Sequence, residues 1–168
     1  MRRVDYKEVA ESLLTRIDQG AFLTVKSGEA INTMTIGWLT VGYVWRTPIL
    51  MVAVRSSRHT FSIIEVSDDF TVSIPSLNMQ REIEFCGTKS GRDYDKFKEC
   101  NLQISESQDV ATPIIRVPGI HFECRIMYKS AMDRTFLNEE YDRTVYPEND
   151  YHTLYFGKIM NCYEIDQE

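Results

Sequence analysis

No apolar run in this chain is long enough to be a membrane span. The most apolar region, Met34 to Val54, is broken by Arg46, Pro48, two glycines and three threonines, which a spanning helix of about 20 apolar residues would not accept. Nor does "MRRVDYKEVAE" have the apolar core of a secretory signal behind its two arginines. The expected address is cytoplasmic. The four cysteines, Cys86, Cys100, Cys124 and Cys162, include no Cys-x-x-Cys pair, so neither a redox dithiol nor a zinc ribbon is indicated and free thiols are expected. Gly-x-Ser-x-Gly, His-Glu-x-x-His and a strand-borne Gly-x-Gly-x-x-Gly are all missing, which removes the commonest hydrolase, metalloprotease and Rossmann signatures. Of the three histidines, His121 stands three residues from Cys124. On a strand that spacing points the two side chains to opposite faces, so no metal site is expected.

One further absence is local. No acidic residue lies between Glu29 and Glu65, although the chain carries a net charge of −6. Arg46, Arg55 and Arg58 fall inside that window. An acidic chain is poorly suited to bind along a nucleic-acid backbone, whereas a local positive field suits a small anion.

What is present fits one domain over residues 1–168. "DYKEVAESLLTRIDQG" spaces Tyr6, Val9, Leu13 and Ile17 as a helix does, with Asp5 as cap and Gly20 as stop, so a helix is expected over about residues 5–19. Short β-branched and aromatic segments separated by turn formers follow over about 20–166, from "AFLTVK" to "YHTLYFGKIMNCYEI". They indicate a mainly β barrel or sandwich. Phe122, Cys124, Ile126 and Tyr128 alternate with His121, Glu123, Arg125 and Met127, as on a strand with one solvated face. Helices are expected near His59–Val66 and Asn78–Phe85, and a long surface loop from Asp133 to Thr153.

Three stretches could carry chemistry. In "NTMTIGW", Asn32, Thr33, Thr35 and Gly37 interrupt an apolar strand, so either one side-chain row faces solvent or the strand offers polar groups to a ligand. "VRSSRHT" combines the guanidiniums of Arg55 and Arg58 with the hydroxyls of Ser56, Ser57 and Thr60. Those are the parts a phosphate monoester needs, and they would equally make a solvated corner between strand and helix. In "FCGTKSGRDYDKF", Gly87 and Gly91 would let backbone approach a ligand beside the donors Thr88, Lys89, Ser90 and Arg92, unless the segment is only a cationic turn after a helix.

Taken in order with "ECRIMYKS" and "DYHTLYFGKI", these stretches resemble the flavin reductase-like FMN-binding proteins, and among them the flavoredoxin group, over about Gly20 to Ile165. The resemblance implies a split β-barrel with a few flanking helices, FMN as cofactor, and a homodimer with the flavin near the subunit interface. It implies that Asn32, Thr33, Met34 and Thr35 face the flavin ring. Arg55, Ser56, Ser57, Arg58 and Thr60 correspond to the phosphate corner, and Cys86, Gly87, Ser90 and Gly91 to a second loop beside the flavin, with Lys89 and Lys96 as helpers. His152 matches a histidine before the family's last strand, near the ring or the reductant, and is the candidate catalytic residue. The function so implied is hydride transfer from NADH or NADPH to the flavin. The alternative is an electron carrier with bound FMN, served by redox partner proteins. Ser56 stands where the family often has proline, and His59 where it often has an aromatic residue.

Overall fold

Asp5 starts the first helix, its carboxylate accepting the amide of Lys7 at 2.9 Å. Helix α1 (Tyr6–Arg16) buries Val9 and Leu13, and a 3-10 turn carries the chain to Gly20, whose φ of 93° suits glycine. The computed structural model describes residues 1–166. After the short β1 (Arg2–Arg3) and α1 come β2 (Ala21–Ser27), β3 (Ala30–Ile36), β4 (Leu39–Val44), β5 (Thr47–Arg55), α2 (His59–Ile64), β6 (Asp69–Pro75), α3 (Gln80–Thr88) and α4 (Lys96–Glu99). The short β7 (Ile104–Ser105) and β8 (Ile114–Ile115) pair with each other, and β9 (Gly119–Ala131), α5 (Glu139–Val145) and β10 (His152–Ile165) follow.

The main sheet is antiparallel throughout, in the order β3-β2-β6-β9-β10-β5-β4, with β1 added on β10. Its end strands, β3 and β4, are joined only by Gly37 and Trp38. Three Cα steps span at most about 11 Å, so the sheet must curl until its two ends nearly meet. β3 thereby comes against β5, and α2 packs on β2, β3 and β5 across the opening. This is a mainly β split barrel with flanking helices. Leu23, Val25, Leu50, Val52, Phe70, Val72 and Phe122 fill it. Each such side chain contributes about 1.5–3 kcal/mol by leaving water. A smaller cluster of Phe22, Cys86, Leu102, Ile115 and Val117 lies under α3 and α4.

Two expectations change. His121 and Glu123 do not face solvent; both are fully buried. The segment before β9 folds back over them. Glu123 accepts the amides of Gln108 and Asp109 and the Tyr163 hydroxyl, and His121 meets Val117 O at 2.9 Å and Ser73 Oγ at 3.0 Å. Burial pushes His121 down to about 4. The segment after β9 is not one loop either: Asn138 caps α5 by accepting the Glu140 amide at 2.9 Å.

Candidate functional site

The turn from β5 into α2, the loop from α3 to α4, and β3 enclose a cleft of about 150 Å³. Three of the sequence stretches therefore meet in space. Met34 comes from β3, Ser57, Arg58, His59 and Thr60 from the β5–α2 turn, and Thr88 to Arg92 together with Lys96 from the far wall. Arg58, Lys89, Arg92 and Lys96 give the wall four cations, and no carboxylate belongs to it. A wider groove of about 670 Å³ shares Gly91, Arg92 and Lys96, but Glu29, Asp93 and Asp95 line it, so the smaller cleft is the better anion site.

Hydrogen bonding separates the available donors from the committed ones. Asn32 Nδ2 donates to Thr60 Oγ1 at 2.8 Å, and the Thr60 hydroxyl proton has no acceptor among the described residues. Lys96 is 4% exposed, and its Nζ donates to Thr33 O at 3.0 Å and Cys86 O at 2.8 Å. An ammonium has three protons, so one is left for a ligand. Burial pushes Lys96 below the ordinary lysine range. The Arg58 guanidinium likewise has no acceptor or carboxylate partner among the described residues. His59 is held down by burial and by the charges of Arg92 and Lys96. A Cβ at Gly91 would stand 2.3 Å from Asn32 Oδ1 and 2.9 Å from His59 Cδ2, so the close approach of loop to strand requires glycine.

The other phosphate-corner residues are already engaged. Arg55 donates to Asp150 O at 2.8 Å and Val145 O at 3.1 Å and lies over the Tyr146 ring, tying the 145–150 segment to the end of β5. Ser57 Oγ donates to Asp150 Oδ2 at 2.6 Å, and Ser56 Oγ to Oδ1 at 3.2 Å. Burial raises Asp150, but the serine bonds outweigh it and hold the carboxyl below its usual range. Asp150 is the site neighbour that motif reading missed. Its signal was an acid two residues before His152, and only folding shows which serines it meets.

Of the β3 group, Met34 lines the cleft and Asn32 meets its wall through Thr60. Thr33 instead donates to Leu23 O at 3.1 Å, and Thr35 donates to Ile83 O at 2.5 Å. What these two offer a ligand is backbone, because β3 is an end strand with one unpaired edge. The Cys86 thiol lies in the small apolar cluster, pushed up to about 12 by burial, and only its carbonyl serves the site, through Lys96. Gly87 packs against Thr35. His152 pairs across the sheet with Arg55, puts Nδ1 2.8 Å from Tyr146 Oη, and has Trp38 at 4.6 Å between ring centroids. Burial first, and then the charge of Arg55, push it down to about 4, so at neutral pH it is an uncharged imidazole. All four cysteines are free, and among the described residues no cluster of His, Cys, Asp or Glu could hold a metal. No helix among them is long and apolar enough to cross a membrane.

Comparison with known proteins gives the family and the fold. A family model described as a flavin reductase like domain matches residues 18–168. An uncharacterised protein of Archaeoglobus fulgidus is 28% identical over 83% of this chain and 69% of its own length. Three solved structures share the fold. An FMN-binding protein from Thermus thermophilus, with bound 1-cyclohex-2-enone, has a TM-score of 0.68 at 18% identity, covering 86% of this chain and 69% of that one. A flavoredoxin from Methanosarcina acetivorans has a TM-score of 0.66 at 22% identity, covering 88% and 69%. An NADH:FAD oxidoreductase of Streptomyces globisporus, in complex with NAD and FAD fragments, has a TM-score of 0.65 at 16% identity, covering 98% and 87%.

Proposed function

The chain belongs to the flavin reductase like family, and from that premise we propose that it binds FMN and acts as an NAD(P)H-dependent flavin reductase. The observation that carries the proposal is the cleft wall of four cations, free of carboxylates, placed beside the open edge of β3. At about 150 Å³ it is smaller than the 300–1,000 Å³ typical of a pocket enclosing a whole ligand. It suits the phosphate end of a flavin, with the ring outside along β3. Arg58 would give the phosphate a forked pair of donors, and Thr60 and Lys96 one proton each. Asn32 fixes the orientation of the Thr60 hydroxyl, and the two carbonyls fix Lys96.

A bound flavin supplies two-electron hydride chemistry, which is why no catalytic dyad is needed. The protein's share is binding, orientation and control of access. On the outer edge of β3 the alternate N–H groups of Thr33 and Thr35, those not turned toward β2, would be presented to the ring, where donors stabilise added negative charge. His152 would meet the ring or the nicotinamide through Nε2, as a neutral hydrogen-bonding group and not as an imidazolium. A homodimer is part of the proposal. Trp45, 54% exposed, lies against Tyr128 and Phe156 at 5.8 and 6.1 Å on one sheet face, and a second copy would cover this aromatic patch.

The second reading is an electron carrier. The chain's net charge of −6 favours it, since an acidic surface steers a basic redox partner. One experiment separates the two: anaerobic visible absorbance of the FMN-reconstituted protein, before and after NADH and then NADPH. Prompt bleaching of the flavin bands supports the reductase and identifies its donor. A bound flavin that stays oxidised leaves the carrier.

A further inference from the structure

The loop between α5 and β10 reaches the β5–α2 turn through the Asp150 carboxylate. Asp150 takes the hydroxyl protons of both Ser57 and Ser56, at 2.6 and 3.2 Å. A serine hydroxyl has one proton, so in this arrangement neither serine has a proton left to donate to a phosphate. Asp150 is no wandering surface side chain. Its carbonyl is fastened by Arg55, whose second nitrogen fastens Val145 O, and Tyr151 next to it donates to Asp142. The carboxylate is therefore held beside Ser57, a wall residue of the cleft, where a second anion would have to settle.

We propose that Asp150 is a specificity-determining residue that limits the affinity of this corner for a phosphate group, so that a phosphorylated flavin remains exchangeable. The proposal rests on the flavin reading given above and concerns the phosphate end alone. Arg58, Thr60 and Lys96 draw the phosphate in. Asp150 opposes it twice, by like charge and by withholding two donors. A flavin without a phosphate would be indifferent to it.

The test is fluorescence titration of the full chain with FMN and with riboflavin, comparing the wild type with D150N and D150S. The variants are expected to bind FMN about ten- to a hundredfold more tightly, the range for removing one like charge a few ångströms away in a partly solvated site. Riboflavin affinity should change by less than about twofold. Adding S56A and S57A to D150N should remove the part of the gain that comes from the released hydroxyls and leave the part that comes from the lost charge. FMN binding that is unchanged or weaker in D150N, or an equal gain for riboflavin, would each overturn the proposal. A wild type that binds neither flavin would overturn the flavin reading instead. Calorimetric titration with inorganic phosphate then decides the role of Asp150: tighter binding by D150N supports it, and equal binding overturns it.

Discussion

Gly91→Ala tests the geometry of the site most directly. The added Cβ would lie 2.3 Å from Asn32 Oδ1 and 2.9 Å from both Asn32 Cγ and His59 Cδ2. The loop is fixed by Lys96 and the strand by its pairing with β2, so the compliant partner is the Asn32 side chain. Turning it aside breaks the 2.8 Å bond to Thr60, which is 1% exposed, and frees the hydroxyl the phosphate would use. A buried polar group left unsatisfied costs about 1–3 kcal/mol. For a chain of this size each kcal/mol lowers Tm by roughly 2–4 °C, so a fall of several degrees is expected on thermal unfolding, together with weaker FMN binding. Gly37→Ala is the control, because a Cβ there meets nothing within 4 Å. Asn32→Ala removes the nearer obstacle and leaves His59 Cδ2, so the double variant should unfold closer to Asn32→Ala alone than additive losses would place it. Additive losses in that pair, or a Gly91→Ala protein as stable as the control, would refute the reasoning.

Arg58→Ala should weaken FMN binding by about 1.5–3 kcal/mol, the worth of a charge-assisted contact, and unchanged affinity by fluorescence titration would show the phosphate corner to be elsewhere. His121 and His152 are both pushed to about 4, below the ~6.5 of an unfolded chain. The unfolded state therefore binds more protons between those values, and stability falls as pH drops from 6.5 toward 4. Denaturant unfolding at pH 7 and pH 4.5 should show this loss, and His121→Gln should shrink it; an identical pH slope in the variant would assign the loss to other groups. If the proposed homodimer forms through the Trp45 patch, Trp45→Ser should weaken self-association measured by light scattering, and a dimer of unaltered strength would put the interface on another face.

Much of the architecture was legible in the sequence. Asp5 and Gly20 mark the two ends of the first helical segment because caps and stops are local chemistry. The strands show as β-branched runs between turn residues for the same reason. His121 and Glu123 were misread because alternation records which residues share a face and not what covers it, and the cover comes from residues 108 to 117. The site divides in the same way. Arg58, Thr60, Ser90, Gly91 and Lys96 were named from their motifs and line one cleft. Thr33, Thr35 and the Cys86 thiol, named from the same motifs, spend their side chains on the sheet, the Ile83 carbonyl and the small apolar cluster.

Residue types and their order alone determined the mainly β class, the positions of the first three helices, the acid-free arginine window and the family. Those properties depend on short-range preference and on the chain's own register. The tertiary structure decided which donors are available. Whether a serine proton is free depends on an acid 93 positions away, and whether a lysine can enter the cleft depends on carbonyls of β3 and α3. Hydrogen-bond partners are assigned by proximity in space, and here that proximity comes from the curl of the sheet and the folding back of the segment before β10.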